Sequence, residues 1–180
     1  CRPAGGGVGG VSAVPTAAGD RGRPLERRLP GARAAVSAGF MLAGMSFASW
    51  VVRIPDVQAR LALSESALGL VLFGVSVGGL LAMPLSAALI GRFGSRPTAR
   101  WATLLVAASL AAAPHAPGAL PLALLLVVLG ASNSVMAVSL NTQAAAVERR
   151  MRRPVTAGFH ALFSLGGLAG AALGGLVAGA

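Results

Sequence analysis

Four stretches without a single Asp, Glu, Lys or Arg, residues 34–52, 66–91, 101–147 and 154–180, make up about two thirds of the 180-residue chain. A bilayer core about 30 Å thick takes roughly 20 apolar residues to cross as a helix, so the first, second and fourth stretches each fit one crossing. The third is too long for one. Its interior Pro114-His115-Ala116-Pro117-Gly118 is a turn signal that divides it in two. The pattern therefore predicts an all-α, polytopic membrane protein with five helices, at about Ala34–Val52, Leu68–Ile90, Thr98–Ala113, Leu120–Val147 and Ala157 to the last residue. Ser64 is suited to cap the second helix, with Glu65 in its first turn at the positive end of the helix dipole.

The first 33 residues hold 8 Gly, 4 Pro and 6 Arg with little to bury, which predicts a disordered basic tail, residues 1–33, ahead of a helical bundle, 34–180. The chain lacks an initiator Met and stops within an apolar helix, so it is expected to be a fragment truncated in helix 5.

Composition agrees with the pattern, since 55% of residues are hydrophobic, 11% are charged and the mean hydropathy is +0.75. A soluble domain is about a quarter charged. The formal net charge of +10 comes from 15 basic residues against 5 acidic, a balance that ordinarily raises nucleic acid as a partner. Placement argues otherwise. All the basic residues are Arg, a choice that GC-rich coding explains without function, and they fall between the apolar runs. The tail carries Arg2, Arg21, Arg23, Arg27, Arg28 and Arg33; the second connection carries Arg92, Arg96 and Arg100; the fourth carries Arg149, Arg150, Arg152 and Arg153. Only Arg53 and Arg60 fall in the first connection, and the third has none. Cytoplasmic loops carry the excess of basic residues, so this alternation predicts a multi-pass protein with a cytoplasmic N-terminus.

Cys1 is the only cysteine, which removes disulfide frameworks and cysteine metal sites. Paired carboxylates, phosphate loops, metal-ligand clusters and nucleophile elbows are missing from the sequence. No cofactor or catalytic activity is expected.

Polar groups inside membrane helices are costly and are functional candidates by default. In helix 1, Ser46, Ser49, Trp50 and Arg53 share one face by their i, i+3, i+4, i+7 spacing. They can wall a solute site, with Trp50 stacking and Arg53 donating hydrogen bonds, or they can pack helices while Trp50 and Arg53 anchor at the interface. In helix 4, Asn133 lies about 13 residues from the outer end at roughly 1.5 Å each, close to the midplane where transporters bind their substrates. Asn141 and Gln143 are the other polar candidates there. An interhelical hydrogen bond is the alternative for each. His160, with Ser164 one turn on, can relay a proton or serve as a packing residue. Gly74 and Gly78, Gly166, Gly170 and Gly174, and Gly175 and Gly179 form small-residue stripes, read as close helix packing.

At the end of helix 2, Gly91-Arg-Phe-Gly-Ser-Arg96 resembles the signature loop of the major facilitator superfamily, G-x-x-x-D-R-x-G-x-R-R. Arg92, Gly94 and Arg96 match; Gly91 replaces the acid and Ala87 the leading Gly. Ala48-Ser-Trp-Val-Val-Arg-Ile-Pro-Asp56, Leu61-Ala-Leu-Ser-Glu65, Asn141-x-Gln-x-x-x-Val-Glu148 and Phe159-His-x-x-x-Ser-Leu-Gly-Gly167 together resemble the fucose-permease-like branch of bacterial inner-membrane transporters. The resemblance spans residues 34–180.

It implies a twelve-helix protein of two six-helix halves, with helices 1 and 4 lining the cavity and the partner half missing from this chain. It further implies that Arg92, Gly94 and Arg96 form a conformational loop, with Glu148 as their ionic partner. An Asp common in related sequences is replaced by Ala137, so no proton-coupling carboxylate is visible, and the Arg motif of drug/proton antiporters is absent. The function implied is secondary active transport of a small polar solute, a sugar for instance, by alternating access in a bacterial plasma membrane, with a proton as one candidate coupling ion. A non-transporting membrane scaffold is the alternative. Five helices alone are not expected to transport.

Overall fold

The computed structural model describes residues 29–178, and all regular structure among them is helical. Five α-helices follow one another: α1 (Leu29–Arg60), α2 (Glu65–Phe93), α3 (Ser95–Ala112), α4 (Ala119–Met151) and α5 (Thr156–Ala178). A short 3-10 turn, Ala113–His115, precedes α4 in the predicted Pro-His-Ala-Pro-Gly segment. Five helices stand where five are predicted, although α3 is not among those long and apolar enough to cross a membrane, and most ends lie further out than predicted, α3 stopping one residue short at Ala112. Thus α1 begins at Leu29, so residues 29–33 belong to a helix and not to the basic tail; the rest of the tail lies outside the described residues. At its other end α1 continues past Val52 through Pro55 to Arg60, because loss of hydropathy ends a membrane span but does not by itself end a helix.

Caps and turns set the ends. Ser64 Oγ accepts from the Ala67 amide at 3.2 Å with Glu65 in the first turn of α2, as the sequence predicts. The α2–α3 connection is a single residue, Gly94, at φ 83° and ψ 159°, a region open essentially to glycine alone.

Four helices, α1, α2, α4 and α5, are long and apolar enough to cross a membrane. The outer surface agrees, since Leu70, Leu80, Leu120, Leu168 and Leu176 are each at least 70% exposed. Apolar exposure on this scale is foreign to a monomeric soluble protein. The interior is built from Phe40, Trp50, Val106, Leu122, Leu126, Met136 and Phe159, with Phe40 and Phe159 stacked at 5.7 Å between centroids.

Helices adjacent in sequence are not the principal partners. The most extensive packing joins α1 to α5 and α2 to α4, followed by α3 on α4. Both major crossings are glycine-lined. A Cβ on Gly44 would overlap the Phe163 carbonyl, one on Gly166 that of Met41, and one on Gly170 that of Met45. In the other crossing Gly78 faces the Val127 carbonyl, Gly130 that of Val75, and Gly74 that of Ala123. Backbone approach of this kind needs the missing side chain. Contacts rise together along both partners, so α1 runs parallel to α5 and α2 parallel to α4.

Two long-range hydrogen bonds fix which connections share an end. Arg60 Nη2 donates to the Ala116 carbonyl at 2.9 Å, joining the α1–α2 and α3–α4 connections. Gln143 Nε2 donates to the Ser95 carbonyl at 3.2 Å, bringing the last turns of α4 to the α2–α3 connection. The bundle thus has an Arg-rich end and an Arg-poor end.

Candidate functional site

Towards the Arg-poor end, the helix 1 stripe is presented as the sequence implies, on one face. Two neighbouring hollows meet there. One, of about 220 Å³, is lined by Ser49, Trp50 and Arg53 of α1 and by Leu110 and Ala111 of α3. The other, of about 350 Å³, is lined by Leu42, Met45, Ser46, Ser49 and Arg53 of α1 and by Gly170, Leu173 and Gly174 of α5. Ser49 and Arg53 border both. Trp50 is buried at 6% exposure and forms a firm wall, whereas Ser46, Ser49 and Arg53 are half-buried. The Ser49 hydroxyl donates to the Ser46 carbonyl at 2.9 Å, so towards the hollow it acts as an acceptor. The lining is therefore an apolar wall with two hydroxyls and one guanidinium, which suits a small polar ligand.

The α5 side exists because the glycine stripe changes character along the helix. At Gly174 an added Cβ would meet Ser49 Cα and Val52 Cβ at 3.6 Å, ordinary contact distance, whereas Gly166 and Gly170 lie directly against backbone. Gly170, Leu173, Gly174, Leu110 and Ala111 were not legible as site residues. Gly170 and Gly174 carry only the small-residue spacing, which reads as packing, and the other three are indistinguishable from lipid-facing positions.

The α4 candidates do not line these hollows. Asn133 is half-buried in the middle of α4, next to the buried Ser132. Asn141 is exposed and donates to the Ala137 carbonyl of its own helix at 2.9 Å. Gln143 bonds to Ser95, at the Arg-rich end.

That end contains the loop residues. Arg92 is exposed, with its guanidinium 5.4 Å from the Phe93 ring centroid, a cation–π contact. Arg96 is exposed in the first turn of α3. Gly94 supplies the turn itself, and the Thr98 hydroxyl donates to its carbonyl at 2.7 Å. Glu148 is not engaged with either arginine. One carboxylate oxygen, Oε2, accepts from the Val155 amide at 3.0 Å, the Thr156 amide at 2.9 Å and the Thr156 hydroxyl at 2.6 Å. These are the free donors at the start of α5, where a carboxylate is favoured, so Glu148 fastens the α4–α5 turn. Spacing alone could have suggested this, because a turn of four residues brings the two helix ends together.

His160 is exposed and stands edge-on to Phe40 at 5.2 Å between centroids. The Ser164 hydroxyl is bonded to the His160 backbone carbonyl at 3.3 Å and not to its ring.

Long apolar helices, a lipid-compatible exterior and a polar cleft define a multi-pass helical membrane protein. Comparison with known proteins places it more narrowly: the profile of the Major Facilitator Superfamily matches residues 35–180, and the chain belongs to that family. It is 37% identical over 134 residues, 73% of this chain and 34% of the relative, to an uncharacterised MFS-type transporter of Yersinia pestis. It is 34% identical over 143 residues, 79% of this chain and 38% of the relative, to an uncharacterised transporter of Sinorhizobium fredii. It is 32% identical over 136 residues, 76% of this chain and 33% of the relative, to the membrane protein MosC of Rhizobium meliloti. The chain spans about a third of the length of these curated relatives. No solved structure shows a significant match.

Proposed function

We propose that this chain forms part of a secondary active transporter that moves a small polar solute across a bacterial plasma membrane by alternating access. The observation that carries the reading is the cleft on α1, where Ser46, Ser49 and Arg53 gather beside Trp50 in an otherwise apolar bundle. Its residues come from α1, α3 and α5, so movement of one helix against another would reshape it. Membership of the superfamily and the names of two relatives support transport. The resemblance to the fucose-permease-like branch supports a sugar-like solute.

In this reading the Arg-rich end faces the cytoplasm with the N-terminus, as the positive-inside rule requires, and the cleft opens towards the outside. Because α2 and α4 are parallel, α3 returns the chain through the membrane as a fifth crossing. Asn133, half-buried in the middle of α4 and outside the lining of the two hollows, is assigned to a deeper stretch of the solute path. Arg92, Gly94 and Arg96 act in the conformational loop, and Gln143 ties that loop to α4. Glu148 sets the α4–α5 turn, and His160 is assigned to packing on Phe40. The partners are the solute, the bilayer and a second helical half, with a proton as the coupling ion to test.

The deciding experiment is solute flux into proteoliposomes that contain the complete protein, screened over labelled sugars, sugar acids and polyols with and without a pH gradient. Flux of at least one solute is expected, with loss on Asn133→Ala while the protein still inserts. Flux unchanged in Asn133→Ala removes that residue from the path. Absence of flux for every solute favours the scaffold alternative.

A further inference from the structure

The two arginines at the Arg-poor end are used differently. Arg60 spends its guanidinium on the Ala116 carbonyl. Arg53 borders both hollows, is half-buried, and among the described residues finds no carboxylate and no carbonyl to accept from it. No Asp or Glu lines either hollow, and Asp56, three residues on, is exposed and forms no ion pair with it. Arg53 shares the linings of these hollows with Trp50, Leu110 and Leu173, and a cation in a membrane-spanning segment is costly without a counter-charge. A planar guanidinium matches a carboxylate by two parallel hydrogen bonds.

We propose that the solute taken by this cleft carries one carboxylate, bound by Arg53, on a hydroxylated ring or chain. The inference rests on the transport reading above and narrows it from polar solutes at large to sugar acids and similar hydroxy acids. The rest of the lining fits that shape. Ser49, its own proton committed to Ser46, accepts from a ligand hydroxyl, and the buried Trp50 offers an apolar wall to a ring. The lining has one cation, which balances a monoanion and leaves a phosphate ester's second charge uncompensated.

The test uses two probes that differ only at C6, D-galacturonate and D-galactose, with counterflow measured on the complete protein in liposomes. Galacturonate is expected to exchange at least 10-fold better than galactose. Arg53→Gln should bring that ratio close to one, and Arg53→Lys, which keeps the charge but loses the fork, should restore part of it. Melting temperatures of both variants within a few degrees of wild type establish that they fold. A ratio unchanged in folded Arg53→Gln overturns the proposal and leaves Arg53 to a lipid phosphate or to water. Preference for galactose in the wild type overturns the carboxylate but leaves transport standing. Exchange of neither probe also overturns the proposal, while transport is judged separately by the wider solute screen.

Discussion

In the crossing of α2 with α4, Gly74, Gly78 and Gly130 lie against backbone, and the same line of α2 continues into Ala82 and Ser86, buried at 2% and 0% exposure. In the crossing of α1 with α5, Gly44, Gly166 and Gly170 make the same approach, but the line continues into Gly174, where the approach loosens to ordinary contact distance and the helix borders the hollow. On α2 the seam stays closed. Ser86 even bonds back to the Ala82 carbonyl at 2.7 Å, within its own helix. The two seams show that glycine spacing fixes where helices touch, and that the residue one turn beyond decides between a seal and a cavity. One seam acts as a strut. The other is a strut for half its length and a binding wall for the remainder.

The comparison breaks most sharply at Gly78. A side chain there has to displace the Val127 backbone, so Gly78→Leu is expected to cost 3 kcal/mol or more, at or above the top of the usual overpacking range of about 1–3 kcal/mol. Size-exclusion and melting measurements in detergent should show loss of the monodisperse folded species. A folded Gly78→Leu with wild-type melting would mean that α2 and α4 are not braced there.

Gly174→Leu is the opposite case. An added Cβ there meets its neighbours only at ordinary contact distance and borders the hollow, so Gly174→Leu should destabilise less than Gly78→Leu, while solute flux falls at least 10-fold because the side chain fills the hollow. Loss of folding would place Gly174 in the strut.

Gly94→Ala probes the hinge of the Arg-rich end and should cost about 1–3 kcal/mol through backbone strain alone. The smallest effect belongs to Ser139, a fully buried hydroxyl on α4 without a hydrogen-bond partner among the described residues. Ser139→Ala removes an unsatisfied group, so stability should hold or rise by up to about 1 kcal/mol.

Much of this architecture was written in the apolar runs and the arginine spacing. Five helices, the Pro-Gly turn, the Ser64 cap and the shared face of Ser46, Ser49, Trp50 and Arg53 follow from local rules. Helix ends did not: α1 runs past its apolar stretch to Arg60, whose guanidinium bonds to a connection 56 residues on, and such long-range partners carry no local signal. The glycine stripes on α2 and α5 were visible, yet their partners were not: Gly130 is the only glycine of α4, and Gly44 has no glycine four residues away in α1. For Glu148 the family resemblance implies pairing with the loop arginines, whereas its partners lie seven and eight residues on. The α5 wall of the cleft was hidden, since Gly174 has the same spacing as two glycines that only pack.

The central claim is that the α1–α5 seam opens to water and the α2–α4 seam does not. The direct measurement places a single cysteine at Ser49 or at Ser86 in a complete protein free of other cysteines, then adds a membrane-impermeant thiol reagent to right-side-out and to inside-out vesicles, because Ser86 lies towards the Arg-rich end of α2. Ser49→Cys should be labelled rapidly and be protected by transported solute, while Ser86→Cys should stay unlabelled in the folded protein. Equal labelling of the two, or an inert Ser49→Cys, would contradict the account.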